Sequence, residues 1–403
     1  MRRRLPRWSE VRPLLRPGRV PLDPTERRLG RAHTIADLRA IAMRRTPRAV
    51  FDYTDGAADR EASLRRARAS FARVQFQPQV LRDVSSIDTG TTVLGKRWTL
   101  PFALAPTGFT RLMHHEGELA AVRAAQRAGL TFALSTMGTA SIEQVAAEAP
   151  GARKWFQLYV WRDRAAAKEL VQRAWTAGYE ALLLTVDTPV GGARMRDVRN
   201  GLTVPPALTP STVLDTALHP AWWFNLLTTP PLAFANLSQW GGTVAELVNT
   251  MFDPSLSFAD IEWLRAIWPG PLLLKGVQTA ADARAAVEHG VDGIILSTHG
   301  GRQLDRAAAP LEVLVPVVDA VGDRADVLLD TGIMNGGDVV AALALGAKAC
   351  LVGRAYLYGL MAGGERGVDR AITILAEEIT RTLQLLGVRD VAELNRSHVS
   401  LRS

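Results

Sequence analysis

The run Ser297-Thr298-His299-Gly300-Gly301-Arg302-Gln303-Leu304-Asp305 puts an imidazole three residues from a guanidinium, with two glycines between them. Histidine is the side chain whose ordinary pKa suits it to take a proton near neutrality. The glycines allow a tight turn that presents its ring to a pocket, and Arg302 offers a two-pronged fork to a carboxylate beside it. Asp187, in Leu184-Thr185-Val186-Asp187-Thr188-Pro189, supplies a carboxylate that would fix the imidazole tautomer and stabilise the imidazolium. Taken alone, an aspartate before Thr-Pro serves equally well as a turn residue. Arg194, in Gly191-Gly192-Ala193-Arg194, adds a second cation on a glycine-loosened loop. Two arginines and one histidine suit a small carboxylate substrate whose neighbouring C–H is to be oxidised.

Lys275 closes the apolar run Pro271-Leu272-Leu273-Leu274-Lys275, and a lysine seldom enters such surroundings without a partner. It would form a Schiff base, as barrel aldolases do, or neutralise charge on a bound cofactor. Asp330-Thr331-Gly332-Ile333 and Val352-Gly353-Arg354 place backbone N–H groups and an arginine where a phosphate would bind. Ser135, Gln157 and Thr185 are further hydrogen-bonding groups suited to a heterocycle. A flavin with Lys275 near the edge that gains negative charge on reduction accounts for more of these residues than an aldolase does.

These residues need a scaffold that brings strand ends together. From residue 101 onward, short apolar runs end in polar or glycine residues and alternate with helical stretches: Pro101–Pro106, Thr131–Ser135, Lys154–Val160, Ala181–Asp187, Pro271–Val277, Gly293–Ser297, Val327–Asp330 and Ala349–Gly353. Runs this short and continuously apolar read as strands buried on both faces. Between them, segments such as Glu116–Ala128, Ala165–Ala177, Thr279–His289 and Gly337–Leu345 have helical composition and spacing. The pattern predicts an α/β fold, a single (β/α)8 TIM barrel over residues 36–400, with residues 36–100 as a helical and hairpin preface. The strand ends Thr107, Ser135, Gln157 with Tyr159, Thr185 with Asp187, Lys275, Ser297 with His299, Asp330 with Gly332, and Gly353 with Arg354 would then meet at one mouth. A long insert, about residues 190–268, interrupts the rhythm after the fourth strand. Its clusters Trp222-Trp223-Phe224 and Pro230-Pro231-Leu232-Ala233-Phe234 either form a small core of their own or meet a membrane or partner.

Composition narrows the class. Of 403 residues, 47% are hydrophobic and 22% charged, as in a globular enzyme. The single cysteine, Cys350, excludes an internal disulfide and CxxC metal sites and suits a reducing cytoplasm; in its apolar run it reads as a buried, inert thiol. No metal site is expected. The net charge of +8 is concentrated in a basic arm over residues 1–35, which lacks the apolar core of a secretory signal. The arm would pack on a neighbouring subunit or touch an anionic lipid surface; no nucleic-acid-binding motif accompanies it.

The chain resembles the FMN-dependent α-hydroxy-acid oxidase and dehydrogenase family over roughly residues 34–400. The resemblance is carried by Phe51-Asp52-Tyr53 with Asp55-Gly56-Ala57, Ala105-Pro106-Thr107-Gly108, Phe156-Gln157-Leu158-Tyr159, Thr185-Val186-Asp187-Thr188-Pro189, Lys275-Gly276-Val277 and the His299–Asp305 run. Arg27-Arg28-Leu29-Gly30 and the Trp222-Trp223-Phe224 insert look most like the family's bacterial L-lactate dehydrogenase branch. The resemblance implies that His299 removes the substrate proton and that Asp187 supports the imidazolium. It implies that Arg194 and Arg302 hold the substrate carboxylate, and that Tyr53 and Tyr159 contact the carboxylate and hydroxyl. Tyr53 is known only in this way, since it lies before the barrel. FMN would be held by Pro106, Thr107, Gly108, Ser135, Gln157, Thr185, Lys275, Ser297, Asp330, Gly332, Gly353 and Arg354. The implied reaction is oxidation of an L-2-hydroxy acid, L-lactate to pyruvate first, with a quinone or other carrier as acceptor. A homotetramer is implied, placed in the cytoplasm with peripheral contact at the inner face of the membrane.

Four positions depart from the family pattern. Thr298 stands where many members have asparagine, and Met334 where many have an arginine near the flavin. Met137 occupies a place that is tryptophan in glycolate oxidases. Gly108, where alanine is frequent, is expected to leave extra room over the flavin face. These departures argue against a strict glycolate oxidase and for lactate or a somewhat larger acid. Glycolate, mandelate, a longer acid or a peptide-derived substrate remain as alternatives by the same flavin chemistry, although the arginine pair favours a free carboxylate.

Overall fold

After the short strands β1 (Val74–Phe76), β2 (Thr91–Val93) and β3 (Lys96–Trp98), eight apolar runs become eight parallel strands: β4 (Phe102–Leu104), β5 (Thr131–Ser135), β6 (Arg153–Leu158), β7 (Ala181–Thr185), β8 (Leu272–Val277), β9 (Gly293–Leu296), β10 (Asp326–Asp330) and β11 (Ala349–Val352). They are hydrogen-bonded in chain order, and β11 pairs with β4 to close the barrel. The (β/α)8 expectation is met. This computed structural model describes residues 4–14, 21–201, 210–237 and 252–402. The remainder of the basic arm and of the insert expected at about 190–268 lies outside the described residues.

The strand period of two divides the core in two. Ala103, Ala133, Trp155, Ala181, Leu183, Leu273, Ile295, Leu328, Ala349 and Leu351 form a packed cluster with Trp98 and Val93. Trp98 and Val93 come from the hairpin of β2 (Thr91–Val93) and β3 (Lys96–Trp98). That hairpin closes the end of the barrel remote from the strand C-termini, where Trp98 lies against Trp155 at 5.3 Å between ring centroids. The alternate residues, such as Phe132, Phe156, Leu182, Leu274, Ile294, Leu329 and Cys350, join the larger cluster shared with the helices. Cys350 is fully buried, and burial pushes its thiol well above the usual range.

The same parity positions the chemistry. Counting two residues on from the interior layer gives Ser135 after Ala133, Gln157 after Trp155, Thr185 after Leu183, Lys275 after Leu273, Ser297 after Ile295, Asp330 after Leu328 and Gly353 after Leu351. Each therefore caps the barrel interior at its C-terminal mouth. The helices Gly117–Arg127, Arg164–Thr176, Ala280–Glu288 and Gly336–Ala344 stand within a residue or so of their predicted bounds. The last barrel strand runs into Arg354–Leu386, a helix broken at Gly363 and Gly364. Part of the basic arm docks on it: Leu29 is buried and the Arg28 Nε donates to the Ala362 carbonyl at 2.9 Å.

Candidate active site

His299 follows β9 in a left-handed conformation, φ 55°, which an L-residue holds only when its surroundings fix it. They do so here. The Thr331 hydroxyl accepts the Thr298 and Gly300 N–H groups at 3.2 and 3.1 Å, and the Ser297 hydroxyl accepts the His299 N–H at 2.9 Å. Asp305 accepts the N–H groups of Arg60 and Ser63 at 3.2 and 2.8 Å, which ties the loop to the start of the helix Ala62–Ala72. Gly301 makes that docking possible, because a Cβ there would lie 2.8 Å from the Leu64 nitrogen.

The imidazole Nδ1 lies 3.1 Å from Asp187 Oδ1, with the aspartate side chain only 2% exposed and the histidine 25%. Burial pushes the Asp187 carboxyl up, but His299 and Lys275 outweigh it and hold the pKa below the usual value. An ionised Asp187 requires N–H at Nδ1 and leaves the Nε2 lone pair free to take a proton. The Tyr159 hydroxyl stands 3.5 Å from that Nε2. Its own pKa is raised, chiefly by burial and then by Asp187, so it acts as a neutral hydrogen-bonding group. Asp187 reaches this position because Gly276, at φ 106°, sits at an irregularity in the β8–β9 ladder; a Cβ there would lie 2.7 Å from the Asp187 carboxyl carbon.

Tyr53 lies between the two arginines, with the Arg302 guanidinium 4.8 Å and that of Arg194 5.8 Å from its ring centroid. Arg302 donates to the Tyr53 carbonyl and, at 3.3 Å, to that of Gly56. Burial, reinforced by Arg194, pushes the Arg302 pKa down to about 10. A carboxylate placed between these cations would relieve that repulsion. Tyr53 is delivered by the helix Arg48–Asp55, and Arg194 by a loop on the far side. Arg196 joins the two with ion pairs to Asp52, Asp55 and Glu61 at 3.2, 3.0 and 2.6 Å. Gln303 fixes the same loop, donating to the carbonyls of Asp187 and Val190 and accepting the Gly192 N–H.

Lys275 is buried. Its Nζ lies 3.1 Å from Asp330 Oδ2 and donates to the Ser297 hydroxyl at 3.1 Å. Burial alone would discharge it, yet Asp330 and Asp187 raise its pKa. A Schiff-base lysine must be neutral to attack, so a lysine held as ammonium favours charge neutralisation over aldolase chemistry.

One pocket gathers most of the expected residues: Tyr53, Pro106, Thr107, Gly108, Ser135, Tyr159, Arg194, Lys275, His299, Arg302, Asp330, Gly332, Gly353 and Arg354. Gln157 and Ser297 stand just behind it, bonded to Ser135 and to Lys275. Asp187 and Thr185 line a neighbouring cavity instead. The fit to FMN rests on this donor set. The Gln157 Nε2 is buried without a partner, an N–H that a heterocycle carbonyl would satisfy. Lys275 supplies an ammonium. At the other end Gly332, Gly353 and Arg354 surround the N-terminus of the helix Arg354–Leu386, a setting for a phosphate. Arg354 is presently bonded to the carbonyls of Thr54 and Gly56 at 2.8 and 2.7 Å.

Two sequence readings change. Gly108 does not leave free room: a Cβ there would lie 2.8 Å from the Met137 Cβ, so the methionine occupies the space that the missing methyl vacates. The cation missing at Met334 has a neighbour unforeseen from sequence, Arg68, which lines the same pocket and donates to the Gly332 carbonyl and to Asp338. Leu64, Arg68 and Phe71 share one helical face, and that spacing is the signal that marks Arg68. Thr331, Gln303 and Arg196 were likewise unassigned; they act through hydrogen bonds visible only in three dimensions.

Comparison with known proteins agrees with this geometry. A family model described as FMN-dependent dehydrogenase matches residues 42–401. A Mycobacterium tuberculosis protein (strain ATCC 25618 / H37Rv), provisionally named L-lactate dehydrogenase, is 57% identical over 398 residues, 99% of this chain and 96% of that one. An L-lactate dehydrogenase of Caulobacter vibrioides (strain NA1000 / CB15N) is 43% identical over 373 residues, 91% and 97% of the two chains. Among solved structures, a monotopic membrane protein, (S)-mandelate dehydrogenase, superposes with a TM-score of 0.89 at 39% identity, covering 92% of this chain and 100% of that one. With a histidine paired to a buried carboxylate, an arginine-flanked tyrosine and a matched span of this length, the chain belongs to the FMN-dependent dehydrogenase family.

Proposed function

We propose that the protein oxidises L-lactate to pyruvate and delivers the electrons to a quinone or other carrier. The observation that carries the reading is the His299–Asp187 pair beside the Arg194–Tyr53–Arg302 group: a base and a carboxylate clamp at one pocket. Arg302 and Arg194 bind the substrate carboxylate, and Tyr53 between them adds a hydroxyl to the same end. Tyr159 and His299 Nε2 meet the 2-hydroxyl. His299 takes the proton as the α-carbon is oxidised, and Asp187 stabilises the imidazolium that results. FMN, when bound, accepts the electron pair and passes it on. Pro106, Thr107, Gly108, Ser135, Gln157, Thr185, Lys275 and Ser297 would hold its ring system, Asp330, paired with Lys275, a hydroxyl of its linking chain, and Gly332, Gly353 and Arg354 its phosphate end.

The L-lactate dehydrogenase relatives support lactate. The mandelate dehydrogenase neighbour supports a larger acid as the second reading. Anaerobic mixing with L-lactate, glycolate and (S)-mandelate in parallel separates them: lactate should bleach the flavin with the highest kcat/KM. A flavin that stays oxidised with lactate but bleaches with mandelate decides for the second.

The reading extends to a peripheral place on the cytoplasmic side of a membrane, as a homotetramer. No helix among the described residues is long and apolar enough to cross a bilayer. The insert nevertheless exposes Val213, Leu214, Leu218, Phe224 and Leu227, an apolar surface suited to shallow contact. Trp222 anchors that surface, donating to the Leu112 carbonyl at 2.9 Å. Vesicle co-sedimentation and light scattering test the two claims.

A further inference from the structure

Among the described residues, five arginines and lysines line the catalytic pocket: Arg68, Arg194, Lys275, Arg302 and Arg354. Arg194 and Arg302 serve the substrate carboxylate, Lys275 the ring system and Arg354 the phosphate end. Arg68 is left without a task. It stands on the helix Ala62–Ala72, which is pressed against the loop after β10. A Cβ on Gly332 would lie 2.9 Å from the Phe71 ring and 3.1 Å from the Ala67 carbonyl oxygen. That close approach carries Arg68 to the loop, where its Nη1 donates to the Gly332 carbonyl and, at 2.8 Å, to Asp338.

The phosphate end lacks charge without it. A phosphate monoester carries about −1.5 to −2 charges near neutral pH. Arg354 has its Nε and one Nη committed to the carbonyls of Thr54 and Gly56. The start of the helix Gly336–Ala344 is occupied by carboxylates of the chain itself. Asp338 accepts the N–H groups of Met334 and Asn335 at 2.8 and 3.2 Å, and Glu378 that of Gly336 at 2.8 Å. Met334 lines the pocket with a neutral side chain. Asp338 is buried, and its charge repels a phosphate in this low-dielectric setting unless a cation stands between them.

Arg68 meets both needs. Asp338 and Gly332 hold one of its nitrogens and so fix the guanidinium. The Nε and Nη2 donors have no partner among the described residues. These two form one edge of the guanidinium, a ready fork for two phosphate oxygens. The arginine side chain is 39% exposed and that of Asp338 9%, so the cation and not the carboxylate is the accessible member of the pair.

We propose that Arg68 is a second phosphate-binding cation for FMN, acting with Arg354 and screening the phosphate from Asp338. The proposal rests on the phosphate end assigned above and adds to it a residue from outside the barrel.

The test compares FMN with riboflavin, which has the same ring system and no phosphate. Dilution of the flavin-loaded full chain releases flavin, and the fluorescence of the free flavin gives Kd for each. Arg68→Met should weaken FMN by roughly ten- to hundredfold, as expected for lost hydrogen bonds to a charged group, and riboflavin by less than about threefold. Arg68→Lys keeps a cation beside Asp338, and with it the fold, but cannot fork; FMN should weaken by at least ~threefold with riboflavin unchanged. Asp338→Asn separates direct contact from loop support: a phosphate relieved of that carboxylate should bind as tightly as in wild type or more tightly. Equal losses for FMN and riboflavin, or FMN weakened as much by Asp338→Asn as by Arg68→Met, overturn the proposal and leave Arg68 a support for the loop. A wild-type protein that holds riboflavin as tightly as FMN overturns it differently, by removing the phosphate end as a whole.

Discussion

Replacing Asp187 by asparagine removes one charge and almost no volume, so its effect isolates what the carboxylate does for His299. The two groups are 3.1 Å apart and Asp187 is 2% exposed. A charge pair at such a distance is worth ~4 kcal/mol at the effective dielectric of ~20 that suits protein sites. Imidazolium forms only as the substrate proton is transferred, so this stabilisation belongs to the transition state. If between half and all of the charge has developed there, the loss is ~2–4 kcal/mol, a fall of ~30-fold to 10³-fold in the rate of flavin reduction. An asparagine amide can also present its N–H to Nδ1, stabilising the tautomer that has no free lone pair at Nε2, which adds to the loss. The substrate carboxylate binds elsewhere, at Arg194 and Arg302, so the dissociation constant should move less than ~3-fold. Stopped-flow absorbance under anaerobic conditions measures both quantities. A near wild-type reduction rate, or a defect confined to the dissociation constant, would refute the assignment of Asp187.

Three further outcomes follow from the same geometry. Lys275→Met leaves Asp330 buried without its cation, so the protein should lose ~3–5 kcal/mol of stability and retain less FMN on gel filtration; unchanged flavin content and Tm would contradict the pairing. Gly108→Ala drives a methyl against the Met137 Cβ and should cost ~1–3 kcal/mol by overpacking, and adding Met137→Ala should not restore Tm because alanine keeps that Cβ; a stable single variant would show the space to be free. Arg302 is a planar two-pronged donor beside Tyr53, which a lysine ammonium cannot replace. Arg302→Lys should therefore raise KM for lactate at least ~tenfold with FMN still bound; an unchanged KM would remove Arg302 from the clamp.

The sequence legibly specified the barrel because each of its strands is a short run whose alternate residues serve two different cores, and that pattern is local. The mouth residues follow from the same parity: Ser135, Gln157, Lys275 and Asp330 are simply the next inward positions. His299 and Arg302 were legible from type and the two glycines between them, Asp187 only from its place at the end of an apolar run. Tyr53 was not, because a tyrosine in Arg48–Asp55 reads as core until the helix is seen between two arginines. Thr331, Gln303 and Arg196 act through partners tens to hundreds of residues away, such as Glu61 for Arg196, which no local pattern encodes. Gly108 was misread for the same reason: its neighbour Met137 enters from a different strand end.

The central claim is that His299 Nε2 is the base, and anaerobic stopped-flow reduction of His299→Gln by L-lactate tests it most directly. The variant should keep its FMN and its yellow spectrum, while the reduction rate falls by ~10³-fold or more, as for an essential base in a concerted site. A His299→Gln protein that bleaches with lactate at near wild-type rate would contradict the account.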